Sequence, residues 1–199
     1  MTYFRPMMLA AMLVVLSAPG AWAQARSYPL DTVSGLTLIN ATAEPATHDG
    51  RKGLRITMSE DGLRKLQSGS GEVNPLAVIQ GLELSNGVIE AEIAGAPAPG
   101  AFEGARGFVG VAFRMQKDMQ TYDAFYLRPT NGRAEDQERR NRSAQYISHP
   151  AWTWFRLRKE TPAKYESYVD LVPGPTHSAT APLPCSPVLT SLTMSVGCG

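Results

Sequence analysis

Between residues 26 and 174, polar and apolar positions alternate in short runs and do not recur at helical spacing over long ones. "GVIEAEIAG" (87–95) sets Val88, Glu90 and Glu92 against Ile89, Ala91 and Ile93, the two-residue period of a strand with one buried face. "GFVGVAFRM" (107–115) is apolar on both sides, with Val109, Val111 and Phe113 opposing Phe108 and Ala112, and predicts a central strand covered on both faces. "YDAFYLRP" (122–129) alternates Phe125 and Leu127 with Tyr122, Tyr126 and Arg128. "TWFRLRKE" (153–160) reads the same way, Phe155 and Leu157 against Trp154, Arg156 and Arg158, and "YESYVDLVPG" (165–174) reads as a last strand before a turn. The separators are turn formers: Ala96-Pro97-Ala98-Pro99-Gly100, Pro129-Thr130-Asn131-Gly132 and Pro173-Gly174. Only "SEDGLRKLQ" (59–67) and "RAEDQERRN" (133–141) suit a helical turn or two. Short strands at this spacing predict an all-β, antiparallel sandwich or barrel.

The two ends do not follow this pattern. "MTYFRPMMLAAMLVVLSAPGAWAQA" places Arg5 before an apolar run from Met7 to Leu16, then Pro19-Gly20 and the small-x-small site Ala21-Trp22-Ala23. That is the layout of a secretory signal peptide over residues 1–23, cleaved after Ala23. The run is too short for a bilayer core of about 30 Å, so the expected location is secreted or periplasmic, without a membrane partner. At the other end, residues 175–199 contain no Lys, Arg, Asp or Glu and are rich in Ser, Thr and Pro. This tail shows no sustained two-residue or 3.6-residue period, which suits either a linker-like segment or a change of reading frame near Gly174. Cys185 and Cys198 both lie in it, where an exported protein could pair them.

A net charge of +1 over 199 residues gives no global attraction to nucleic acid or a membrane surface. Charge is concentrated locally. Arg128, Arg133, Arg139, Arg140, Arg142, Arg156 and Arg158 are interleaved with Asp123, Glu135, Asp136 and Glu138. Guanidinium forks hold carboxylates and hydrogen-bond to vicinal hydroxyls, so this stretch suits a surface for uronic acids or neutral sugars, or a mutually neutralising network. Tyr122, Tyr126, Tyr146, Trp152 and Trp154 could stack on pyranose rings or fill the core.

The run "GARGFVGVAFRM", with "YDAFYLRPTNGRAEDQERRNRSAQYISHP" and "YESYVDLVPG", resembles a family of exported bacterial concanavalin A-like jelly-roll proteins. That superfamily includes lectins, laminin G-like modules, laminarinase-type glucanases and 3-keto-disaccharide hydrolase-like domains. The resemblance covers roughly residues 30–174, and it implies two curved antiparallel sheets with a concave face that handles saccharides. It also implies Trp-rich terminal strands after Gly174, where this chain has its charge-free tail. The expected domain is therefore a sandwich over residues 26–174 lacking its C-terminal strands, with uncovered sheet edges.

The expected ligand surface comprises Arg114, Tyr122, Asp123, Tyr126, Arg128, Arg133, Asp136, Arg140, Tyr146 and His149. The expected partner is an oligo- or polysaccharide, with no cofactor. Catalysis has weaker support. Glu90 and Glu92 share a strand face about 7 Å apart, but Val88 and Ala94 stand where a laminarinase-type acidic triad would continue. A glycoside hydrolase would need another acid/base pair, such as Asp136 or Glu138 with Asp123. A polysaccharide lyase would draw on Tyr146 with His149. Asp123 and Asp136 lack the dense ligand spacing of a calcium loop. Asn40-Ala41-Thr42 and Asn141-Arg142-Ser143 fit the N-glycosylation pattern, which matters only in a eukaryotic secretory pathway. Three readings follow: a carbohydrate-binding domain, a hydrolase or lyase on the same fold, and an inactive truncated remnant.

Overall fold

The computed structural model describes residues 24–69, 72–83, 87–99, 101, 103–171, 177–181 and 188–196. The expected signal peptide, Cys185 and Cys198 lie outside the described residues. In chain order the elements are β1 (Gln24–Tyr28), β2 (Leu36–Ile39), β3 (Ala41–His48), β4 (Arg51–Met58), α1 (Glu60–Gln67), β5 (Leu76–Ile79), β6 (Val88–Ile93), β7 (Val109–Phe113), β8 (Tyr122–Leu127), α2 (Pro129–Gly132), α3 (Gln137–Arg140), β9 (Ala144–His149), α4 (Trp154–Glu160), β10 (Glu166–Ser167), β11 (His177–Ala181) and β12 (Val188–Val196).

All strand pairings among the described residues are antiparallel. One sheet runs β11-β6-β12-β4-β3, with β1 alongside β12; a second runs β10-β9-β8-β7; β2 and β5 form a separate ribbon. The alternation read in 87–95 holds on β6, where Ile89, Ala91 and Ile93 are buried. They pack with Val109, Leu127, Ala144 and Leu171 into the core between the two larger sheets. The opposite face of the four-stranded sheet has its own cover: Leu157 of α4 packs on Tyr122, Ala124 and Ile147. The architecture is thus sandwich-like, with a helix against one outer face.

Several expectations change. Residues 153–160 are a helix, not a strand. The run also meets the 3.6 period, because Trp154 stacks with Arg158 and Arg156 pairs with Glu160 one turn on, while Leu157 is buried. Among the described residues β7 is an edge strand, not a central one; α4 and the sandwich core supply cover on its two faces. Residues 144–149, to which the alternation assigns no strand, form β9 between β8 and β10. Among the described residues 165–171, only Glu166–Ser167 pairs as a strand.

The tail differs most from its reading. β11 pairs with β6, and β12 runs between β6 on one side and β4 and β1 on the other. The described chain therefore places strands where the truncated sandwich was expected to lack them. A register shift between Leu189 and Ser191 precedes the alternating Leu192-Thr193-Met194-Ser195-Val196. That short period is hidden in sequence by the irregularity before it and by Pro182, Pro184 and Pro187.

Close backbone approach explains one glycine. Gly107 has φ +64°, and a Cβ there would stand 2.7 Å from the Ala96 backbone, in the irregular segment that leaves β6. The core makes a simple prediction. Ile93 is fully buried between the sheets, so Ile93→Ala should lower unfolding free energy by about 2–5 kcal/mol in urea titrations. Leu63→Ala, on the exposed side of α1, should change it by less than about 1 kcal/mol.

Candidate functional site

Strand parity sorts the expected residues between the two faces of the four-stranded sheet. Tyr122 pairs with His149, Ala124 with Ile147, and Gly110 with Tyr126, so these share the face under α4. Glu166 pairs with Gln145 on that same face. Asp123 and Tyr146 occupy the other face. Tyr146 and His149 are thus divided by the sheet, and a lyase-type proton relay between them has no geometric basis.

On the α4 face, Arg128 is 5% exposed. Its Nη1 donates to the Arg142 carbonyl (2.9 Å) and lies 3.4 Å from Glu166 Oε1, while Nη2 donates to the Tyr126 hydroxyl (3.0 Å) and Gln145 Oε1 (3.1 Å). Burial draws its pKa below the usual arginine value, partly offset by Tyr126 and Glu166. The Glu166 side chain is 6% exposed and is also gripped by Arg158, whose Nε donates to Oε2 at 3.1 Å and whose Nη2 donates to Oε1. Arg142 Nε stands 3.8 Å from Oε2, and its Nη2 pairs with Glu138. One carboxylate therefore sits among three guanidiniums contributed by the end of β8, the turn before β9, and α4.

Rings continue the arrangement outward. Arg128 lies over Tyr126 (5.0 Å) and Phe108 (5.8 Å), which meet edge to face. Arg158 lies over Trp154 at 4.9 Å, and Arg156 over Trp152 at 3.9 Å. Trp152 and Trp154 are 38% and 37% exposed, and Phe155 is 63% exposed. Each indole is thus held by a cation on one side and open to solvent over part of its surface.

The other expected residues are dispersed or committed. Arg114 pairs with Asp123 (2.9 Å) on the far side of the sheet, where Tyr146 also bonds to Asp123; burial first, then Asp123, raises the Tyr146 pKa. Arg133 pairs with Asp170 at the surface. Asp136 caps α3 by accepting from the Glu138 and Arg139 amides. Arg140 bonds to the Ala134 and Glu135 carbonyls and to Gln137. Tyr122 is buried, stacked on His149 (4.9 Å), and its hydroxyl accepts from Asn74 (2.9 Å). His149 Nδ1 meets the Gln120 carbonyl at 2.6 Å. Asp123, Asp136 and Glu138 each already serve a cation or a helix start, so no hydrolytic pair assembles from them. Glu90 is exposed and Glu92 pairs with Arg51 on the outer face of β6.

Among the described residues, no group of three or more His, Cys, Asp or Glu could hold a metal, and no helix is long and apolar enough to cross a membrane. A cleft of about 420 Å³ is lined by Asp31, between β1 and β2, and by Pro45, Ala46, Thr47, Lys52 and Gly53 of the β3–β4 hairpin, without an aromatic ring. Sequence reading missed Glu166 as the centre of the site and Phe108 as its outer ring. No local signal marks Glu166, because its arginines lie up to 38 positions away in the chain. No protein-family model, curated protein or solved structure matches the chain.

Two predictions follow from these contacts. Glu166→Gln should destabilise the fold by about 3–5 kcal/mol in denaturant titrations, because it leaves the buried Arg128 without its counter-charge. Asp118 accepts from the Thr121 hydroxyl and from the Gln120 and Thr121 amides, and these bonds hold its pKa below the ordinary carboxylate value. With a depressed folded pKa, that support is present above the unfolded value near 3.8 and is lost as pH falls through the folded one. Asp118→Asn should therefore flatten the acid limb of a melting-temperature profile below about pH 4 and leave its neutral-to-basic shape unchanged.

Proposed function

We propose that the protein is an exported carbohydrate-binding domain of the concanavalin A-like jelly-roll type, non-catalytic, with its glycan surface at Trp152, Trp154 and the arginines around Glu166. The observation that carries this reading is the pair of part-exposed indoles, each backed by a guanidinium. Large, rigid rings presented in this way suit the CH faces of pyranoses, and they lose little side-chain entropy when a ligand stacks on them. Flanking guanidinium N–H groups supply the directional bonds to sugar hydroxyls. The antiparallel sandwich-like architecture supports the jelly-roll assignment, and residues 1–23 support export.

A hydrolase or lyase on this fold has less support, because the candidate carboxylates are engaged elsewhere and Tyr146 and His149 face opposite ways. The remnant reading is weighed by the tail, whose residues 177–181 and 188–196 pair with the first sheet. Truncation of the aromatic platform tests the binding reading. In glycan-array and titration measurements, Trp154→Ala should lower affinity for the glycans bound by the native protein by about tenfold, in line with roughly 1–1.5 kcal/mol for an aromatic contact. Its thermal unfolding should remain cooperative. Native affinity in a folded Trp154→Ala protein would place glycan binding elsewhere.

A further inference from the structure

Resting on the carbohydrate-binding reading, we infer that the ligand is an acidic glycan, with its ring against Trp154 and its carboxylate or sulfate against the outer edges of Arg142 and Arg158. Arg128, Arg142 and Arg158 face two carboxylates, Glu166 and Glu138, which leaves one positive charge uncompensated in the cluster. The protein as a whole carries only +1, so this excess is local.

The excess is also accessible at one place. Arg128 is buried and its Nη atoms are all engaged, whereas the Arg142 and Arg158 side chains are 32% and 26% exposed. Arg158 commits Nε and Nη2 to Glu166, and Arg142 commits Nη2 to Glu138. The Nη1 group of each makes no hydrogen bond to a described residue. Neighbouring α3 adds no carboxylate beyond Glu138, already counted: Arg139 bonds to the Asn131 side chain and Thr130, and Arg140 to carbonyl and amide oxygens. Glu166 fixes the Arg158 fork from below, so the outward N–H groups are positioned before a ligand arrives.

Trp154 supplies the second half of the site. Its ring contacts Arg158 itself, so a sugar stacked on the indole would bring a ring substituent next to the guanidinium. An anionic oxygen there gains a charge-assisted hydrogen bond and removes the excess charge, whereas a hydroxyl gains only the weaker neutral bond. A uronate or sulfated residue fits both halves, and a neutral sugar fits one.

Calorimetric titration of the purified protein with polygalacturonate, dextran sulfate and neutral dextran, at low and high salt, tests this. The acidic polymers should bind about tenfold more tightly than dextran at low salt, the weight of one charge-assisted bond, and the preference should shrink as salt rises. Arg142→Gln should remove most of the preference, weakening the acidic polymers several-fold more than dextran, which loses only a neutral hydrogen bond, and Trp154→Ala should weaken every glycan. If Arg142→Gln fails to fold, Arg142→Lys takes its place; retaining the charge but losing the fork, it should keep the salt dependence and lose part of the preference. Equal affinity for acidic and neutral polymers overturns the inference and leaves the carbohydrate reading standing. Acidic binding untouched by Trp154→Ala means polyanion adhesion only, and overturns it too. Binding of no glycan at all overturns the carbohydrate reading and this inference with it.

Discussion

Glu166 is the one carboxylate on which the α4 side of the molecule depends. It stands on β10, opposite Gln145 of β9, and three guanidiniums from separate parts of the chain converge on it. Burying a charge is costly unless it is paired and hydrogen-bonded, and here the pairing is itself the means of assembly. Arg128 at the end of β8 cannot remain inside without Glu166, and Arg158 ties α4 to the sheet through the same two oxygens. Such an ion cluster adds less net stability than an equivalent apolar contact would. What it sets is position: where α4 lies over the sheet, and how its aromatic side chains are presented.

That division of labour gives α4 two roles. Leu157 faces the sheet and joins Tyr122, Ala124 and Ile147 in a small core of its own. Trp154 and Phe155 meet solvent, and Arg158 links the two environments by lying under an indole while binding Glu166. Exposed large aromatic residues gathered in one place are unusual on a surface that has no partner. Their immobilisation by cations separates this patch from the dispersed Arg133 and the α3 cap at Asp136, which serve the local chain.

Much of the fold was legible in the alternation. β6 and β8 stand where two-residue periods placed them, β7 where a run apolar on both faces did, and the short α1 and α3 where the charged turns did. The errors share a cause. Residues 153–160 satisfy both periods over so few positions that periodicity cannot choose; burial of Leu157 against an existing sheet decides for helix. The β9 run Ala144–His149 mixes Gln, Tyr, Ser and His with Ala and Ile, and its polar members read as loop because their cross-strand partners are unknown from sequence. In the tail, a register shift and three prolines conceal the five alternating residues from Leu192 to Val196.

The candidate site divides in the same way. The sequence by itself determined an antiparallel β architecture and a dense arginine and aromatic stretch across 122–158, because periodicity and composition are local properties. It also put Tyr122, Tyr126 and Arg128 on one face, by strand parity alone. Only the tertiary structure decided that Arg128 lies inside while Arg142 and Arg158 reach the surface, that Tyr146 and His149 look in opposite directions, and that Glu166 is the common partner. Those outcomes turn on which strands lie side by side. Pairing of β8, β9 and β10 brings together residues up to 38 positions apart, and a charge's fate is set by what closes over it, which no single stretch of chain encodes.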